Sequence, residues 1–132
     1  PYHIAVNGDD NIIVADSGND CVKVYDPRGK FSHITIIRTP RATQFSDTVK
    51  PCKHLRRPKG VAVDIKNNLL VADSHNRIAM FENTDRFVRN LLTEDDSIKC
   101  PEALATCHNG LLAISEWHPH NMHSVKVFRM YE

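Results

Sequence analysis

Short apolar runs alternate with polar turns along the whole chain. Val22 and Val24 alternate with Lys23 and Tyr25, the period of a half-exposed strand. The runs IAV, IIVAD and CVKVYD at the start are separated by NGDDN and SGND, and Asn, Asp and Gly supply the conformations that tight turns need. VAV, LLVAD and RIAMFE repeat the arrangement in the middle, and ALA, LLAIS and SVKVFRMY repeat it at the end. A fourth apolar run follows the first two groups, FSHITII at 31–37 and RFVRNLL at 86–92. The pattern predicts an all-β chain of 11 short strands.

The groups are copies of one another. Residues 1–17 and 58–74 align without a gap at an offset of 57, with Ala5/Ala62, Val14/Val71, Asp16/Asp73 and Ser17/Ser74 identical. A weaker third copy, PEALATCHNGLLAISE, begins at Pro101 at an offset of 43 that falls to 42, and reads Ser115-Glu116 where the others read Asp-Ser. Four antiparallel strands at about 40–45 residues is the period of a β-propeller blade. The longer offset then marks an insertion of about 15 residues within 38–57. Small residues (Ala5, Ala15, Ala62, Ala72, Ala105, Ala113) recur where strands would crowd an axis.

The runs PYHIAV…NIIVADSGNDCVKVYDPRGKF and PKGVAVD…NLLVADSHNRIAMF resemble NHL repeats. The ending SVKVFRMYE is similar to the end of tripartite-motif NHL proteins. The resemblance implies three blades of a six-bladed propeller. The blades are expected at 1–30 without its inner strand, 31–85 with the basic insertion 38–57, and 86–132. In this reading 31–37 and 86–92 are inner strands. It further implies a substrate-recognition platform in a protein whose RING, lying elsewhere, is the ubiquitin ligase, so this segment itself is expected to be no enzyme. RNA binding by the same platform is the alternative, and a metal-dependent lyase of NHL-like fold a remote third.

Composition sharpens this little. The 132 residues are 41% hydrophobic and 25% charged, which excludes wholesale disorder. No apolar run approaches the roughly 20 residues of a membrane span, and the start at Pro1 suits an excised segment. The net charge of +1 conceals a contrast. Residues 38–59 hold seven basic residues against Asp47 alone, a local +6 that leaves −5 elsewhere. Cys21, Cys52, Cys100 and Cys107 form no Cys-x-x-Cys pair and suit free thiols in a reducing, cytoplasmic setting.

Four groups of residues are candidates for chemistry. Arg28, Lys30, Lys53, Arg56, Arg57, Lys59, Arg86 and Arg89 are expected in turns that contact an acidic protein partner or RNA phosphates. The Arg28/Lys30 and Arg86/Arg89 turns are expected between blades, on the face opposite the insertion. His118, His120 and His123 in WHPHNMH are weak metal candidates, since one peripheral turn supplies all three. Trp117 beside them is either packed or an exposed anchor. Asp16 and Asp73 recur at one repeat position, which suits acceptors of backbone N–H groups in the next turn rather than catalysis. No cofactor motif or catalytic constellation is present, and two open blade faces are expected to need a missing half or self-association.

Overall fold

The computed structural model describes residues 2–26, 28, 34–37, 55–82, 86–119 and 123–131, with backbone only at 34–37. The strands are β1 (His3–Val6), β2 (Ile12–Asp16), β3 (Cys21–Tyr25), β4 (Ile34–Ile37), β5 (Gly60–Val63), β6 (Leu69–Asp73), β7 (Arg77–Glu82), β8 (Arg86–Leu92), β9 (Pro101–Thr106), β10 (Leu111–Glu116) and β11 (Ser124–Arg129). They form three antiparallel sheets in the orders β1-β2-β3-β4, β5-β6-β7-β8 and β9-β10-β11. Helical structure among the described residues is limited to the 3-10 turns Ser17–Asn19 and Glu94–Asp96.

The strands β1, β5 and β9 lie against one another and form the inner edge. This corrects the expected blade boundaries. β4 pairs with β3, and β8 pairs with β7. Both therefore end their own sheets at the outer edge, although the sequence reading assigned them to the inner edge of the following ones. The incomplete sheet is the third, with three described strands, and the first is complete. The segment 38–59 consequently joins two sheets, while 26–33 and 83–85 join strands of the same sheet. Antiparallel alternation still places the strand ends Tyr25, Glu82 and Arg86 at the end opposite 55–59.

Alternating side chains build two cores on the two faces of the middle sheet. Val61, Leu69, Val71, Ala79 and Phe81 pack against Ile13, Ala15, Val22 and Val24 of the first sheet. Ala62, Leu70, Ala72, Ile78 and Met80 pack against Leu104, Leu112 and Ile114 of the third. Phe87 meets Phe81 edge-on at 5.7 Å. Leu55 and Ile98, 43 residues apart, close one core each ahead of the inner strands.

The inner strands are spaced by single residues. A Cβ on Gly60 would collide with the Glu102 carbonyl oxygen and lie 3.1 Å from Leu104 Cγ. β5 and β9 therefore approach as backbones. His3 holds the same place in the first sheet, and its Nδ1 accepts the Val61 N–H at 3.0 Å. A ring thus separates β1 from β5 where a missing side chain lets β5 meet β9.

Candidate functional site: a basic and aromatic rim at one end of the sheets

Each sheet ends its second strand on a carboxylate paired with a cation of its third strand. The distances are 2.9 Å for Asp16–Lys23, 2.9 Å for Asp73–Arg77 and 2.9 Å for Glu116–Lys126. Arg77 stands directly opposite Asp73, whereas Lys23 and Lys126 are two residues beyond the partners of Asp16 and Glu116, on the same face. Asp73 and Arg77 are both buried. The Arg77 Nε also donates to Asp73, and its Nη1 donates to Asn90 Oδ1 at 3.3 Å.

The expectation for Asp73 holds: its Oδ1 accepts the His75 N–H at 3.0 Å. Asp16 departs from it. Its carboxylate takes the Asn19 side-chain Nδ2 at 2.8 Å, and it makes no cap bond to the following backbone. Together the Asn19 amide and Lys23 hold its pKa below the usual carboxylate range, and Asp16 in turn raises that of Lys23.

Glu116 is the residue that the sequence pattern concealed. The strand register keeps an offset of 43, pairing Thr106 with Leu112 as Val63 pairs with Leu69. The same offset, unbroken along β10, puts Glu116 in the place of Asp73, where an alignment that slips to 42 puts Ser115. Burial raises its pKa, but the Lys99 N–H, Lys126 and Ser124 outweigh burial and hold it below the usual range.

These carboxylates fix the segments that lead into the inner strands. Asp73 Oδ2 accepts the Arg56 N–H at 3.2 Å, and Glu116 Oε2 accepts the Lys99 N–H at 2.7 Å. A second pair of acceptors reaches across from the preceding sheet. Asp20 Oδ1 takes the Arg57 N–H at 2.8 Å, and Asn76 Oδ1 takes the Cys100 N–H at 2.8 Å. Arg57 and Cys100 both hold positive φ, at 45° and 46°. The side chains of Arg56, Arg57 and Lys99 are left exposed on a backbone bonded from both sides.

Aromatic groups share this end. The Trp117 N–H donates to the Cys100 carbonyl at 3.1 Å, beside Lys99. Trp117 is 48% exposed, so it is not packed beneath the loop. It stacks on His123 at 6.1 Å. His118 Nε2 lies 3.9 Å from Glu116. His120 lies outside the described residues. Among those described, no three His, Cys, Asp or Glu side chains gather in a way that would hold a metal.

Three positions that are equivalent in the repeats converge at the inner edge. Tyr2 donates to Glu102, Lys59 pairs with Glu102 at 3.1 Å, and the Lys59 ammonium stands 5.8 Å from the Tyr2 ring centroid. The hydrogen bond to Glu102 and burial raise the Tyr2 pKa. Of the remaining candidates, Arg28 pairs with Asp26 at 3.7 Å and Arg86 with Glu82 at 3.8 Å. Arg28, Arg86 and Arg89 are exposed, but Arg86 and Arg89 lie within β8 rather than in a turn, and β8 begins at the end away from the rim. Lys30, Lys53 and most of the basic insertion lie outside the described residues. Cys21, Cys100 and Cys107 are unbridged, and Cys52 is not among the described residues.

No family model matches the chain, and no curated protein matches it. Solved structures do. A catalytically inactive virginiamycin B lyase variant from Staphylococcus aureus, solved with quinupristin, is similar at 14% identity and a TM-score of 0.62. The match covers 92% of this chain and 39% of that one. A luciferin-regenerating enzyme is similar at 18% identity and a TM-score of 0.63, covering 96% of this chain and 44% of that one. The fold is accordingly that of a β-propeller, and the chain spans about two-fifths of the length of these structures. Among the described residues no helix is long and apolar enough to cross a membrane.

Proposed function

We propose that this chain is a recognition platform for an acidic protein partner, and that its contact surface is the rim of Arg56, Arg57, Lys99 and Trp117. The observation that supports this most is the repeated display of basic residues. Arg56 and Lys99 are exposed at one repeat position, and each has its backbone N–H bound to a buried carboxylate. A backbone held in this way loses little entropy when its side chain binds. The half-exposed Trp117 next to Lys99 supplies an apolar anchor of the kind that dominates protein interfaces. With the NHL resemblance, the rim is where a tripartite-motif protein would present a substrate to a RING ubiquitin ligase.

A second reading, recognition of structured RNA, gains from the same geometry. The sequence separates its basic stretch from its aromatic residues, but the fold sets Trp117 and His123 beside Lys99. A basic residue and a stacking surface at one end of the sheets are what single-stranded bases require. The lyase reading has less support, because His118 and His123 are engaged with Glu116 and Trp117 respectively.

One titration tests both readings. A labelled polyglutamate peptide and a labelled pool of structured RNA are each followed by fluorescence anisotropy at two salt concentrations, with the wild type and with Arg56→Glu/Lys99→Glu. The protein-platform reading expects peptide binding that the double reversal abolishes. RNA binding that is tighter than peptide binding and falls steeply with salt selects the second reading. Binding of either ligand unchanged by the reversal removes the rim from consideration.

A further inference from the structure

The rim carries two imidazoles besides its fixed cations. His118 and His123 stand at the same end of the third sheet as Lys99, joined to it through Glu116 and Trp117. Imidazole is the side chain whose charge changes between about pH 5 and 8. His118 is half-buried, with its Nε2 3.9 Å from Glu116 Oε1. His123 is exposed, and its ring lies 6.1 Å from that of Trp117 with the two planes inclined by 23°.

The charged groups around this pair are largely engaged with one another. Glu116 Oε1 sits 2.9 Å from the Lys126 ammonium and accepts the Ser124 hydroxyl at 3.0 Å, while Oε2 holds the Lys99 N–H. Lys126 also donates to the Ser97 carbonyl. In the turn ahead of Lys99, Glu94 takes the Asn76 side chain, Asp96 takes the Thr93 N–H, and Asp95 is exposed. A proton on His118 therefore meets a carboxylate whose charge Lys126 already balances. A proton on His123 meets an aromatic face, which attracts a cation, so the ring keeps its place as it charges. Each protonation leaves this corner of the rim more positive.

We propose that His118 and His123 make the rim's hold on an acidic partner pH-dependent, tightening it as the two imidazoles are protonated. The inference rests on the platform reading above and names the regulation of that same site. With both rings neutral, the third sheet offers the partner Lys99 and the half-exposed Trp117. With both protonated, it offers two further cations at the same end, and complementary charge across an interface draws an acidic ligand in.

Fluorescence anisotropy of the labelled polyglutamate peptide tests the proposal, at about pH 7.5 and about pH 6, with the wild type and with His118→Gln/His123→Gln. Glutamate stays largely ionised across that window. The wild type is expected to bind about three- to tenfold tighter at the lower pH, the gain that two exposed charge contacts give, and the double variant to lose most of it. A gain of equal size in the variant, or none in the wild type, overturns the proposal and leaves the platform reading standing. No binding at either pH overturns the platform reading and this inference with it.

A second readout needs no ligand. Trp117 is the single tryptophan of the chain, and a stacked imidazolium quenches indole emission. Emission of the wild type is expected to fall in a step between about pH 7.5 and 5.5, and the step to vanish in His123→Gln. An absent step, or one that His123→Gln leaves unchanged, overturns the proposal. Far-UV circular dichroism checks that the sheets persist, and where the double variant loses them His123→Gln alone carries both measurements.

Discussion

Glu116 accepts the Lys99 N–H as Asp73 accepts the Arg56 N–H, with 43 residues between the two acceptors and 43 between the two donors. The third copy spells its signature differently, yet it keeps the bond. A longer side chain at the same register position replaces the Asp of the repeat.

Burial ranks the three carboxylates. Asp73→Ala strands the buried Arg77 and is expected to cost about 3–5 kcal/mol. Glu116→Gln weakens charged hydrogen bonds to a partly exposed Lys126 and is expected to cost about 1.5–3 kcal/mol. Asp16→Ala removes a pair near the surface and is expected to cost about 1 kcal/mol or less. Urea unfolding of the three variants checks the order, and equal midpoints would refute it.

The same groups set an acid limit. Glu116 and Asp16 are both depressed in the folded chain. Their contribution is therefore complete above the unfolded carboxylate range, about pH 4, and is lost as pH falls through the lower folded values. The melting temperature is expected to be flat near neutrality and to fall below about pH 4.5. Glu116→Gln should shallow that fall, which a series of melts from pH 7 to acid would reveal.

Gly60→Ala is expected to force β5 and β9 apart, at about 1–3 kcal/mol. Gly18 has nothing within 4 Å of an added Cβ, and Gly18→Ala serves as the control. Thermal melts should separate the two by several degrees.

Asn7 and Asp64 hold one repeat position. Asp64 uses both oxygens, taking the Asn68 N–H at 2.7 Å and the Asn68 Nδ2 at 3.1 Å. The Asn7 Oδ1 takes the Asn11 N–H at 2.9 Å, but its buried Nδ2 has no partner among the described residues. Asn7→Asp gives the first sheet the acceptor that Asp64 offers Asn68, the residue equivalent to Asn11. It is expected to stabilise the chain by about 0.5–1.5 kcal/mol in urea unfolding.

Tyr131 donates to Asp64, and burial together with that carboxylate pushes its pKa up to about 12. One tyrosine is therefore expected to ionise late in an ultraviolet titration, and Asp64→Asn to bring it forward. Because the unfolded phenol ionises near pH 10, stability from this contact is expected to fade above that pH.

The sequence by itself determined the strands. Alternation and turn residues marked 11 of them, and β7 and β8 fall where RIAMFE and RFVRNLL stand. Both are properties of neighbouring residues, so they can be read along the chain. The tertiary structure decided which sheet the fourth strands join, because pairing β4 with β3 or with β5 leaves the same apolar pattern in sequence. It also decided the rim. Arg56, Lys99 and Trp117 lie far apart in the chain, and buried carboxylates from other strands bring them to one end of the sheets. Glu116 was hidden for the same reason: LLAIS aligns with LLVAD at an offset of 42, and only the strand pairing shows that the true offset is 43 and that Glu116 meets the Lys99 N–H.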